Sequence, residues 1–358
     1  MGGDHRERCG ESQGAPLKGF RGLGPPGRHY LLGRSGEVGI APLQFEADFT
    51  VGIGGSMRVK AEYLLARFFI GLFGILPFGI AVRGGALLGR LFYLADRRHR
   101  SIAQGSLQAS LGPERSEREI KQIAVGAFEN LGRSVVEFAW IQGKPPAELL
   151  RRTAFEGMEH YEAALRRKKG VLFLTAHFGN WEWMAAALSL RQGKKIHVVA
   201  RPLDNPDLNR MVNAWRERDG NQVLNKRTSA AEIMRLLKAG EVVGILLDQN
   251  TAAGEAIFVD YFGRPAATHK GMAILALRTG AAVLPTFIIR EKGRHRVVID
   301  KPLEIARTGD LGRDVREATA LFTRTIESAV RRHPDHWLWV HRRWKTRPSA
   351  EFEVRNSE

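Results

Sequence analysis

Val171, Leu172, Phe173, Leu174 and Thr175 are aliphatic, aromatic or β-branched without a break, a composition that suits a strand buried on both faces. Gly179 and Asn180 then punctuate the chain, and beyond Trp181 the residues Met184, Ala185, Leu188 and Leu190 recur at roughly helical spacing. The unit reads as strand, tight turn, helix. A strand covered on both faces needs parallel neighbours and flanking helices, so this stretch narrows the available folds more than any other.

The alternation continues along the chain. LRRTAFEG (150–157), KIHVVA (195–200), EVVGILL (241–247) and GAAVLPTFIIR (280–290) read as strands, and HRVVID (295–300) as a strand antiparallel to its neighbour. HYEAALRRKKG (160–170), NPDLNRMVNAWRERDG (205–220) and DVREATALFTRTIESAVRR (314–332) read as helices. Ser116 with Glu119 and Ser229 with Glu232 form S-x-x-E capping boxes, the first ahead of a long amphipathic helix ending near Gly143. The expected fold is α/β, with a mixed, largely parallel sheet flanked by helices and an N-terminal hydrophobic membrane-associating helix.

His177 falls just beyond the carboxyl end of its strand, the rim on which open α/β sheets carry ligands. Glu182 follows five residues later. On one continuous helix that spacing turns the second side chain by about 140° from the first. On a strand end and a first helical turn the two can converge. Glu182 would then hold one imidazole nitrogen and leave the other to take a proton from a hydroxyl. The adjoining helix N-terminus offers N–H groups to a developing oxyanion. No Ser or Cys stands beside His177 as a nucleophile, so the hydroxyl would belong to a substrate and the simplest chemistry is direct acyl transfer. The bland alternative is a surface His and a first-turn Glu favoured by the helix dipole. Arg201 and Asp248 end two other strands, so three strands deliver polar groups to one rim.

HFGNWE (177–182) resembles the H-x4-D/E block of the lysophospholipid acyltransferase superfamily, and in particular of the lipid A biosynthesis (lauroyl/myristoyl-type) acyltransferases. Further similar stretches follow in the same order: VVARPLDNP (198–206), AWRERDG (214–220), GEVVGILLDQN (240–250), VDYFGRPAATHKG (259–271), GAAVLPTFIIR (280–290) and HPDHWLWVHRRWKTRP (333–348). The resemblance implies that His177 is the general base on a glycolipid hydroxyl, with Glu182 as its partner. It implies acyl carrier protein thioester as donor and a lipid A precursor as acceptor, with no cofactor and no metal. It gives Asp248 and Arg216 functional weight, a guanidinium being a good clamp for phosphate or carboxylate. Asn180 and Arg201 join them as candidate substrate-binding residues, with Thr268 at lower weight.

Composition adds the partner surface. Lys+Arg 55 against Asp+Glu 38 gives a net charge of +17, which calls for an anionic partner. Zinc-finger spacing, an RNP-like block and a heptad-bearing basic region are all missing, so nucleic acid is not expected. The single cysteine, Cys9, excludes an internal disulfide framework. G-x-S-x-G, Walker A and H-E-x-x-H sequences are also missing, which removes the marks of serine hydrolases, P-loop NTPases and zincins.

Residues 1–56 hold 14 of the 39 glycines and balance six basic against six acidic residues. They read as a disordered extension, and Met57 resembles a family start. Residues 57–100 form an apolar and basic membrane-associating segment, 101–350 the α/β domain and 351–358 a tail. Phe68 to Val82 carry no charge; as helix they reach about 22 Å, short of the roughly 30 Å hydrocarbon core, and Pro77 should kink them. Extending the helix back to Ala61 allows a span if Arg67 snorkels. A buried hairpin of a soluble protein is the alternative. Clustered arginines after the apolar run place that side in the cytoplasm, at the inner membrane. The Trp- and Arg-rich segment 333–348 is expected to form an interfacial surface. A noncatalytic basic membrane- or nucleic-acid-binding protein, or an enzyme using another glycolipid or aminolipid acceptor, remain the other readings.

Overall fold

The computed structural model describes residues 55–225 and 229–348. The expected extension 1–56 lies outside them save for its last two residues, and the tail 351–358 lies outside altogether. Four helices lead: α1 (Gly55–Ile75), α2 (Phe78–Ala95), α3 (Arg97–Leu111) and α4 (Glu117–Ile141). Next come α5 (Pro146–Arg151), β1 (Thr153–Glu156), α6 (Met158–Arg166), β2 (Val171–Thr175) and α7 (Trp181–Gln192). The alternation runs on through β3 (Ile196–Ala200), α8 (Pro206–Arg218), β4 (Asn221–Asn225), α9 (Ser229–Lys238) and β5 (Val242–Leu246). A hairpin of β6 (Ala256–Tyr261) and β7 (Arg264–His269) precedes α10 (Gly271–Thr279), β8 (Ala282–Glu291), β9 (Arg294–Ile299) and α11 (Leu311–Arg332).

Seven strands form one sheet in the order β1-β9-β8-β2-β5-β3-β4, and β6 with β7 form a second. Within the large sheet only the β8–β9 pair is antiparallel. The mixed, mostly parallel α/β sheet is therefore as the sequence implies. All five residues of β2 are buried. Leu172 and Leu174 join a core with α3, α4, α9, α10 and α11, whereas Val171 and Phe173 join another with α2, α6 and α7. Successive side chains of a strand point to opposite faces, so an unbroken apolar run feeds two cores at once. Register then sets the site: Thr175 of β2 pairs with Leu246 of β5, and the two carboxyl ends lie side by side.

The expected apolar element over 61–82 is not one helix. It breaks at Pro77, whose extended backbone (ψ 138°) starts α2 while the indole of Trp140 donates to the freed Leu76 carbonyl at 2.9 Å. Among the described residues one helix, Phe78–Ala95, is long and apolar enough to cross a membrane. One side of it packs on α4, where a Cβ on Gly85 would stand 2.8 Å from the Gly132 carbonyl oxygen and one on Gly89 2.1 Å from that of Phe128. Only glycine permits backbones to approach so closely. Leu64, Leu65, Phe68, Leu72 and Ile75 on α1 are exposed, as are Ile80, Leu87, Leu88, Leu91 and Leu94 on α2.

The Ser116–Glu119 capping box is formed in both directions. The second box involves Ser229, whose side chain lies outside what is described. The expectation for residues 333–348 is corrected: Trp337 and Trp339 are almost wholly buried and belong to the core, because each indole N–H finds an internal acceptor.

Candidate active site

The turn after β2 is held in a left-handed conformation at Gly179 (φ +59°), where a Cβ would meet the Ile288 carbonyl oxygen at 2.2 Å. Just before that turn, the His177 backbone lies beside the residues that follow β5. Its N–H donates to Asp248 Oδ2 at 3.0 Å, and Nδ1 lies 2.9 Å from Asp248 Oδ1. The indole of Trp337 donates to Oδ2 at 2.8 Å. Asp248 is 3% exposed, and removing its charge from water costs several kcal/mol. Three donors, at about 1.5–3 kcal/mol each for bonds to a charged group, are enough to offset that. Burial would raise the carboxyl's pKa; the neighbouring His177 charge and the bonds from His177 and Trp337 hold it below the ordinary carboxylate value.

An ionised carboxylate only accepts hydrogen bonds, so the proton of a neutral imidazole sits on Nδ1 and the lone pair on Nε2. The Gln249 amide nitrogen lies beside Nε2 at 3.4 Å, a long contact that an incoming hydroxyl can displace. Trp181 closes the other side of the ring, edge to face at 5.0 Å between centroids.

Glu182 is not the partner of His177, and this corrects the expectation from spacing. The helical direction of α7 carries its carboxylate to α8, where Arg216 Nε donates to Oε2 at 3.0 Å and Nη2 to Oε1. Arg216 also donates to Asn213 Oδ1 at 3.2 Å. Burial alone would lower the guanidinium's pKa, but the Glu182 charge and hydrogen bonds raise it. The pair thus braces the first turn of α7 against α8.

Asn180, expected at the substrate, is buried and fully engaged. Its Oδ1 caps α7 through Trp183 N at 3.0 Å, and its amide donates to Glu137 Oε2 at 2.9 Å and to the Ser134 carbonyl at 3.3 Å. Glu137 is 1% exposed and chelated by Arg290, Nε to Oε1 at 2.9 Å and Nη2 to Oε2 at 2.7 Å. Burial would push its pKa up, yet the charges of His295 and Arg290 hold it far below its usual value. This network fixes the turn from behind. Arg201 lies beyond β3, exposed, and donates to Asp204 at 3.1 Å. Thr268 is fully buried, bonded to Ala266 O and Arg343. Trp337 escaped the sequence reading; a signal was available, since a tryptophan destined for the core must find an acceptor for its N–H. Among the described residues no cluster of His, Cys, Asp and Glu is placed to hold a metal ion.

Comparison with known proteins gives this geometry its setting. A family model described as bacterial lipid A biosynthesis acyltransferase matches residues 56–346. The lipid A biosynthesis lauroyltransferase of Escherichia coli (strain K12) is 30% identical over 278 residues, 77% of this chain and 88% of its own length. The palmitoleoyltransferase of the same strain is 27% identical over 308 residues, 83% of this chain and 98% of its own. Its lipid A biosynthesis myristoyltransferase is 26% identical over 280 residues, 76% and 82% of the two chains. With the match running from the start of α1 through the segment that carries Trp337, this chain belongs to the bacterial lipid A biosynthesis acyltransferases.

Proposed function

We propose that this acyltransferase moves a fatty acyl chain from acyl carrier protein thioester to a hydroxyl of a lipid A precursor, at the cytoplasmic face of the inner membrane. The observation that carries the reading is the buried Asp248 carboxylate on His177 Nδ1, which leaves Nε2 as the basic nitrogen. In the forward step Nε2 removes the acceptor's hydroxyl proton as the oxygen attacks the thioester carbonyl. Asp248 stabilises the imidazolium that forms. The tetrahedral intermediate collapses, the C–S bond breaks, and the imidazolium returns its proton to the departing thiolate. N–H groups in the first turn of α7 are suited to the oxyanion. Arg216, bound to Glu182, keeps that turn in place. A net charge of +17 favours both an acidic carrier protein and anionic headgroups. A noncatalytic binding protein has no use for a buried carboxylate on a partly exposed imidazole.

Mass spectrometry of the lipid A fraction from a deletion strain tests the acceptor. The strain should lack one acyl chain, restored by the wild-type gene and not by His177→Ala, whose turnover should fall 10²–10⁴-fold in purified, folded protein. An unchanged lipid A profile, or wild-type turnover by the variant, defeats the reading.

A further inference from the structure

Residues 333–348 do more than fill the core. The Gly179 N–H donates to the His336 carbonyl at 2.9 Å, the Leu338 N–H to the His177 carbonyl at 3.1 Å, and Phe178 and Trp337 form an antiparallel bridge. The same segment holds the strand end that carries Asp248: Asn250 N donates to His341 Nε2 at 2.9 Å, and the Asn250 amide and Thr346 exchange two bonds of 3.0 Å. One stretch of chain thus grips the loop of the base and the loop of its carboxylate. Trp337 is where that grip reaches the chemistry, because its N–H occupies Asp248 Oδ2, the oxygen not facing the imidazole.

We infer that Trp337 is a positioning residue for acyl transfer: its indole N–H fixes the Asp248 carboxylate so that Oδ1 meets His177 Nδ1–H, and the C-terminal segment thereby completes the catalytic pair. The inference rests on the reading of His177 as the base. Without the indole, Oδ2 keeps only the His177 backbone N–H at 3.0 Å, and a carboxylate that has lost one of its three donors holds the imidazole less firmly in its direction.

The charged and titratable groups around Asp248 are His177, Tyr261 at the end of β6 and Arg343 from the same C-terminal segment. Tyr261 is fully buried and pushed well above its usual pKa, first by burial and then by the Asp248 charge, so it stays neutral. Arg343 is lowered to about 10 by burial and stays charged at neutral pH. Neither Tyr261 nor Arg343 changes charge near neutral pH. An N–H on Oδ2 draws off part of the carboxylate's charge. Its removal leaves more negative charge on the carboxylate, which favours the protonated ring beside it, so the acid limb of the rate profile should move to higher pH.

The test places β-(3-benzothienyl)alanine at position 337, an isostere with sulfur in place of the N–H, alongside Trp337→Phe in case the smaller ring unsettles the core. Turnover, KM for acceptor and donor, and the pH–rate profile are compared with wild type and with His177→Ala. With the isostere, kcat should fall about ten-fold or more with both KM values near wild type, and the acid limb should move up. A merely structural role would lower the folded fraction and leave the limb where it was. Wild-type kcat and an unshifted profile for the isostere, with His177→Ala inactive, overturn the role of Trp337 alone. An active His177→Ala overturns the base assignment and this inference with it.

Discussion

His177 takes its orientation from a residue 71 positions away, and that distance explains what could be read locally and what could not. The apolar run 171–175 placed His177 on the rim of a buried parallel strand, and the structure puts it there. Its partner depended on which strand lies next to β2, a fact of sheet order rather than of sequence neighbourhood. The nearby Glu182 fitted the spacing but follows its helix to Arg216. Asp248→Asn checks the assignment. The amide would turn a donor toward His177, favour the tautomer with the proton on Nε2, and cut kcat about 10²–10⁴-fold in steady-state assays. Its stability cost has a defined pH window. The folded carboxyl lies below its unfolded value of about 3.9, so its contribution is complete above that pH and is lost as pH falls through the folded value. In urea titrations the gap between variant and wild type should be full at pH 7 and narrow below about pH 4.

At the level of elements, punctuation was legible and polar edges were not. Pro77 and the Ser116–Glu119 box are local chemistry, and both act where the sequence places them. NQVLN, which forms the edge strand β4, has too little apolar alternation to signal a strand, and the β6–β7 hairpin was equally silent. The contact of α2 with α4 was hidden as well, because glycines on a helix read as weak points until the partner is known. Gly89→Ala should drive a methyl into the Phe128 carbonyl and push the helices apart, at a cost of about 1–3 kcal/mol. Gly105→Ala on α3, where nothing lies within 4 Å of the added carbon, should instead stabilise by about 0.5–1 kcal/mol. Thermal unfolding of the two variants, read side by side, separates close packing from helix propensity; equal shifts would mean that the α2–α4 contact is looser than described.

For the whole molecule, the question is which apolar surface remains after both cores are filled. The tryptophans of 333–348 were assigned to an interface, yet Trp337 and Trp339 are in the core and Trp344 packs partly buried against it, since composition alone does not say which side of an amphipathic residue is covered. The helices α1 and α2 present the opposite case. On α1, Leu64, Leu65, Phe68, Leu72 and Ile75 fall within about 100° of arc and are all exposed. The helix is tied to the catalytic body through Asn205, which caps α8 and donates to the Val59 carbonyl at 2.9 Å. A face of this kind, with Arg67, Arg83, Arg97 and Arg98 exposed on α1 to α3, suits an anionic lipid surface. Burying a large apolar side chain is worth about 1.5–3 kcal/mol and each arginine near the surface about 1 kcal/mol, so three leucine- or phenylalanine-sized groups outweigh any one charge. Replacing Leu64, Phe68 and Leu72 together by Gln should therefore release most of the protein from anionic phospholipid vesicles in sedimentation assays. The melting temperature should hold, because these side chains leave no cavity behind. Turnover on a bilayer acceptor should fall well below that on a short soluble one. Added salt should weaken what binding remains in the variant more than it weakens wild type, whose apolar contact is unscreened. Equal sedimentation of the triple variant and wild type would mean that α1 does not meet the lipid.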